Sequence, residues 1–147
     1  RAFNEMRTGR PGPVVLELPR DVMAADVPEA AQNYIVAKAG KFLPPQSEIE
    51  RAVDALLNAK RPLIWSGQGV LMGAASESLT ELAELAGIPV MTTMPGKSGF
   101  NETHPLSLGA TNLTYSGQAR KWLDESDVVF AVGTSMLLLI FFKAFGF

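Results

Sequence analysis

Short apolar runs alternate with helical stripes along most of this chain, and that alternation narrows the fold more than any other feature. Leu63-Ile64-Trp65-Ser66 follows a stripe of Ile49, Ala52, Val53, Leu56 and Leu57. Ile88-Pro89-Val90-Met91-Thr92-Thr93 follows Leu79, Leu82, Ala83 and Ala86, and Asp127-Val128-Val129-Phe130-Ala131-Val132-Gly133 follows Ala119, Trp122 and Leu123. Runs this uniformly apolar are strands buried on both faces. Strands that alternate with helices across short turns make a parallel sheet covered on both sides. The predicted fold class is α/β, a Rossmann-like parallel sheet with helices on both faces, with Leu106-Ser107-Leu108 as a further short strand.

Punctuation residues set the expected boundaries. Ser47 is placed to cap a helix while Glu50 reaches back to it. Lys60-Arg61-Pro62 ends that helix, and Gly87 ends the next as a left-handed residue just past its last turn. At the start of the chain, Phe3 and Met6 share a helical face, and Gly9-Arg10-Pro11-Gly12-Pro13 stops the helix. Val14-Val15-Leu16-Glu17-Leu18 reads as a largely buried strand closed by Pro19-Arg20-Asp21-Val22. Residues 23–45 read as a crossing linker.

Length and charge exclude several classes of function. The 147 residues allow one sizeable core and a piece of another domain. A net charge of −2 with scattered basic residues argues against a nucleic-acid partner. The absence of cysteine removes disulfides, zinc-thiolate sites and thiol nucleophiles. The apolar run at residues 136–147 is far short of the roughly 20 residues that cross a bilayer, so no membrane partner is expected. That run is expected to dock on the sheet or on a second copy of the chain. With no secretion signal at its start the chain fits a cytoplasmic protein, and both ends read as cuts in a longer one. The sequons at Asn101 and Asn112 read as accidental.

In parallel sheets, ligands bind beyond the carboxyl ends of the strands. Three loops there have suitable chemistry: Ser66-Gly67-Gln68-Gly69, Thr92-Thr93-Met94-Pro95-Gly96 and Gly133-Thr134-Ser135. Glycine lets backbone amides approach a phosphate, and it also simply makes tight turns, so both readings stand. Gly67, Gly69 and Gly73 give a spacing one residue longer than the dinucleotide fingerprint. Thr92-Thr93 ends the strand where a nicotinamide-binding fold places an acidic residue, which disfavours a dehydrogenase. His104, the only histidine, has no serine and acid to form a catalytic set and reads as structural. Asp124, Glu125 and Asp127 read as a solvated helix end, Lys97 as a cation facing either a phosphate or water, and Trp65 and Trp122 as core. No catalytic residue and no metal ligand is assigned.

The order of segments resembles the thiamine diphosphate-dependent enzymes of the acetolactate synthase and benzoylformate decarboxylase type. Gly9-Arg10-Pro11-Gly12-Pro13 through Val22 is similar to the end of their pyrimidine-binding domain. Ala59-Lys60-Arg61-Pro62, Gly67-Gln68-Gly69, Leu82-Ala83-Glu84, Gly87-Ile88-Pro89-Val90, His104-Pro105-Leu106 and Ser126-Asp127-Val128 to Gly133-Thr134 are similar, in order, to their central domain. The resemblance implies that residues 1–40 end the pyrimidine domain and linker. Residues 41–147 would then be a central domain with about four of six strands. It also implies a parent enzyme that uses thiamine diphosphate and magnesium to decarboxylate or ligate a 2-oxo acid, with the cofactor groups outside this chain. The parent's remaining domains and further copies would be its partners.

Relatives of this type hold FAD or ADP in the central domain. Carried across, the contacts are Gly67, Gln68, Thr93, Met94, Pro95 and Gly133, with Gly69 in the same loop. The family's flavin binders carry an arginine shortly after the Gly133-Thr134 position, where this chain has uncharged Ser135 and Met136. No cofactor is therefore expected on this chain alone. Two other readings remain: a non-catalytic nucleotide-binding or assembly module, and a nicotinamide oxidoreductase or deacylase domain.

Overall fold

A computed structural model describes residues 2–33, 35, 40, 43–111 and 115–136. The chain divides into two compact units, Arg1–Pro44 and Pro45–Phe147. The expected apolar tail, apart from Met136, and the Asn112 sequon lie outside the described residues.

The first unit has three short helices, α1 (Ala2–Glu5), α2 (Arg20–Ala24) and α3 (Glu29–Gln32), and residues 11–19 between α1 and α2 form neither helix nor strand. The expected strand at residues 14–18 does not form. Its side chains are exposed, Val15 to 87% and Leu16 to 66%, rather than buried. The physical reason is that strand hydrogen bonds run between chains, and no described segment of this unit pairs with it. Pro19, expected to close the strand, instead begins α2, with φ −58° and its carbonyl accepting from Met23 at 3.0 Å. The stretch expected to be a plain linker also contains α3.

The second unit carries the sheet. α4 (Gln46–Asn58) leads into β1 (Pro62–Ser66), followed by α5 (Gln68–Met72), α6 (Ser76–Ala86) and β2 (Val90–Thr93). A 3-10 turn at Met94–Gly96, β3 (Ser107–Thr111), α7 (Gly117–Glu125) and β4 (Val128–Val132) complete it. The four strands are all parallel, in the order β3-β2-β1-β4. Ile64 aligns with Val90 on one side and Phe130 on the other. Between β2 and β3 the register slips by one residue. Gly109, at φ 82°, takes up the extra residue as a bulge, a conformation that a side chain resists.

Because side chains alternate across a strand, β1 feeds two cores. Ile64 and Val90 pack with Val70 of α5, Leu79 and Ala83 of α6, Ile88 and Phe100, with Leu56 of α4 against them. Leu63, Trp65 and Met91 face the other way, with Leu108, Val129 and Leu123 of α7 against them. Leu63, Ile64, Val90 and Met91 are completely buried, each worth about 1.5–3 kcal/mol before ordering costs. Helices thus cover both faces, as the apolar strands required. α4 is less committed: Ile49, Val53 and Leu57 of its stripe stay exposed.

Three local expectations are corrected. α4 starts one residue before Ser47, because Pro45 sits at φ −54°, ψ 146° and sends the chain straight into the helix. Ser47 is therefore inside the helix, no side chain caps it, and Glu50 bonds Gln46 Nε2 at 3.2 Å instead. Asp127 is not a loose member of a solvated helix end. Its carboxylate accepts the Lys60 N–H at 2.7 Å and the Arg61 N–H at 2.9 Å, tying the entry of β4 to the entry of β1. Trp122 is half-buried rather than core. The Arg61 guanidinium lies over its ring at 4.4 Å, and the same guanidinium meets Glu125 at 2.8 Å.

The Lys60 amide first, then that of Arg61, holds the Asp127 carboxyl below its ordinary range. A carboxyl lowered by folding stabilises the fold above its unfolded pKa of about 4, and that contribution is lost as pH falls through the folded value. Asp127→Asn should therefore unfold at lower urea than the parent chain at neutral pH. The gap should close as pH falls below about 4. Urea titrations across that range test it, and equal midpoints at neutral pH would remove Asp127 from the account.

Candidate functional site at the carboxyl edge of the sheet

β1 connects to β2 over one face through α5 and α6, whereas β3 connects to β4 through α7 on the other. The chain changes side between β1 and β4, and the ends of those two strands are where an open α/β sheet offers its crevice. All seven residues singled out from sequence lie at this edge: Thr93 ends β2, Gln68 and Gly69 open α5, and Gly67, Met94, Pro95 and Gly133 follow the ends of β1, β2 and β4.

The turns interlock through backbone. The Gly67 amide donates to the Val132 carbonyl at 2.9 Å and the Gly69 amide to the Gly133 carbonyl at 2.8 Å. A Cβ on Gly67 would run into the Gly133 carbonyl oxygen, and one on Gly69 would stand 2.7 Å from Gly133 Cα. One on Gly133, whose φ is 61°, would stand 2.6 Å from the Val70 nitrogen. Gly96 closes the third side: its Cβ would stand 2.7 Å from the Gly67 carbonyl carbon. Four glycines therefore let three turns share a space with no room for a side chain. Gly96 was visible in sequence only as part of its loop, because its role depends on a contact across nearly thirty positions of chain, roughly one βαβ unit.

This geometry decides what the turns can hold. The amides of Gly67 and Gly69 are spent on the β4 turn, and Val70 donates to the Gly67 carbonyl at 3.1 Å. Gly96 donates to Thr93 Oγ1 at 3.1 Å and Lys97 to the Met94 carbonyl at 3.2 Å. The Lys97 ammonium lies 3.7 Å from Glu102. The amides of Gly67 and Gly69 are thus engaged within the protein, and the close approach of the turns gives these glycines a packing role. Gln68, Met94 and Pro95 are exposed at the rim, and Thr93 is half-buried.

His104 is engaged at both ring nitrogens. Nδ1 accepts the Leu106 N–H at 3.2 Å, which leaves the proton on Nε2 to donate to Glu84 at 3.0 Å. Its ring meets Phe100 edge-on with centroids 5.0 Å apart. The histidine fastens the loop after the 3-10 turn to α6, the structural role its context suggested. Trp65 is buried, as expected of a core residue. Among the described residues no group of histidine, aspartate and glutamate is placed to hold a metal. No helix among them is long and apolar enough to cross a membrane.

A parallel, doubly wound sheet whose carboxyl-edge turns meet at glycines defines a fold class rather than a particular protein. Comparison with known proteins narrows it. The family described as thiamine pyrophosphate enzyme, central domain, matches residues 49–140, and the chain belongs to that family. It is 37% identical over 137 residues to a Methanococcus aeolicus protein described as "Probable acetolactate synthase large subunit", covering 90% of this chain and 23% of that one. It is 37% identical over 134 residues to glyoxylate carboligase of Escherichia coli O157:H7, again covering 90% of this chain and 23% of the relative. An X-ray structure from Mycobacterium smegmatis, described as "a putative thiamin diphosphate-dependent enzyme", superposes with a TM-score of 0.52 at 27% identity. That superposition covers 60% of this chain and 17% of the other. The chain therefore spans about a quarter of the length of these relatives. The nicotinamide and assembly-module readings gain nothing from the comparisons.

Gly133 and Gly87 separate two costs of losing a glycine. Gly87 ends α6 at φ 63° with nothing within 4 Å of an added Cβ, so Gly87→Ala pays only left-handed strain, about 1–2 kcal/mol. Gly133→Ala adds a collision with the β1 turn. It should lower unfolding free energy by at least about twice as much in urea titrations. Equal losses would mean that the turns are not interlocked as described.

Proposed function

We propose that this chain is the central-domain portion of a thiamine diphosphate-dependent 2-oxo acid decarboxylase or carboligase of the acetolactate synthase kind. Its role there is to position and assemble rather than to perform the chemistry. The observation that carries the reading is the identity to a described acetolactate synthase subunit and to a glyoxylate carboligase, sustained over 90% of the chain. The spent amides of the carboxyl-edge turns agree with a scaffold role.

In the longer protein, thiamine diphosphate supplies the electron sink for the carbanion. Residues of this chain would hold neighbouring domains in place. The exposed Val15, Leu16 and Leu18 would become a strand of the preceding domain, and Ile49, Val53 and Leu57 of α4 would meet another domain or subunit. Exposed side chains of this size in a row mark surfaces that the intact assembly covers. Flavin or adenine nucleotide is not part of the proposal.

Purified chain given thiamine diphosphate, magnesium and pyruvate or glyoxylate should release no carbon dioxide above a no-protein control. A longer protein that joins this chain to the flanking segments its relatives possess should release it, dependent on thiamine diphosphate. Cofactor-dependent release by the chain alone would overturn the scaffold role. A complete but inactive longer protein would overturn the assignment to decarboxylases and carboligases.

A further inference from the structure

Beneath the interlocked turns lie two hydroxyls that the packing does not account for. Ser66 is completely buried and Thr92 is 3% exposed, and neither Ser66 Oγ nor Thr92 Oγ1 has a hydrogen-bond partner in the protein. They are not scattered: Ser66 and Thr92 are register partners across β1 and β2. They stand two residues beyond the pair Ile64 and Val90, so both hydroxyls lie on the face covered by α5, α6 and Phe100. A hydroxyl removed from water is costly unless bonded, and two of them side by side in an apolar core call for a shared partner.

The surroundings say what the partner is. Gly99 brings no side chain to this corner. The point its Cβ would occupy is 3.8 Å from Ser66 Oγ and 2.9 Å from the Gly96 carbonyl oxygen. That carbonyl already accepts the Gly99 N–H at 2.9 Å and keeps a second lone pair. Leu71 Cγ stands 3.5 Å from the point the Gly99 Cβ would occupy, and Thr92 enters as the register neighbour of Ser66 on the same face. Two hydroxyls and a carbonyl would supply the usual complement of about three partners for an internal water.

We propose that Ser66 Oγ, Thr92 Oγ1 and the Gly96 carbonyl form a binding site for one buried water molecule. This water joins the carboxyl ends of β1 and β2 to the 3-10 turn. It is a structural ligand, and it makes the turn that closes over Gly67 depend on both strand ends at once. The proposed water site stands whether or not the parent is a decarboxylase.

Ser66→Ala, Thr92→Val and the double variant of the full chain test it by urea unfolding and by high-resolution crystallography. Either single change removes a bond to the same water, so each should lower the folding equilibrium constant about tenfold, and the double variant should fall clearly short of the product of the two. Parent crystals should show one water within hydrogen-bond distance of both hydroxyls, and crystals of the double variant should lack it. Multiplicative losses, or parent crystals in which the hydroxyls bond to backbone carbonyls with no water between them, would overturn the proposal. If a single variant does not fold, the parent crystal structure alone decides.

Discussion

Contact of backbone on backbone between the turn after β1 and the turn after β4 is the constraint on which the rest of this structure depends. β1 is the central strand: it pairs with β2 and β4 and supplies residues to both cores. Its exit must pass the exit of β4 at a distance that excludes even a methyl group, and Gly67, Gly69 and Gly133 permit that passage. Once they close, the position of α5 follows, because Val70 donates to Gly67 and Gly73 donates to Gly69. The turn after β2 then has one place to go, with Gly96 against Gly67. At this carboxyl edge the three turns therefore meet main chain on main chain.

Glycines at a strand-to-helix turn therefore carry less functional information than their spacing suggests. A phosphate cradle and a loop-on-loop contact ask the same thing of a residue, the absence of Cβ, and they differ only in where the amides point. Here the amides of Gly67 and Gly69 point at β4 carbonyls. No pattern within one loop could have shown this, because the acceptors, Val132 and Gly133, arrive more than sixty residues later, roughly two βα units on.

The central sheet was legible in sequence because β1, β2 and β4 are largely apolar runs, each preceded by a helix with one apolar stripe. The left-handed cap at Gly87 was legible for the same local reason. What was not legible depended on partners. Residues 14–18 have the composition of a buried strand yet stay unpaired and exposed, since a strand depends on a partner that composition does not supply. Ser47 lost its capping role to the rigid Pro45, and Trp122 left the core because Arg61 offered its ring a cation at the surface. The candidate site shows the same division: its residues were found together at the expected edge, while their use was decided by contacts across the chain.

The two ends of the sheet are built on different physics. At the amino end, side chains do the fastening: Asp127 bonds two amides at the entry to β1, and Arg61 is shared between Trp122 and Glu125. Those ties are exposed and charged, so water and salt compete with them and each contributes modestly. At the carboxyl end the fastening is main chain packed on main chain, with few charges, and ionic strength has little hold on it. The two ends therefore answer to different conditions, since salt weakens the ties around Asp127 and Arg61 and leaves the glycine contacts as they are.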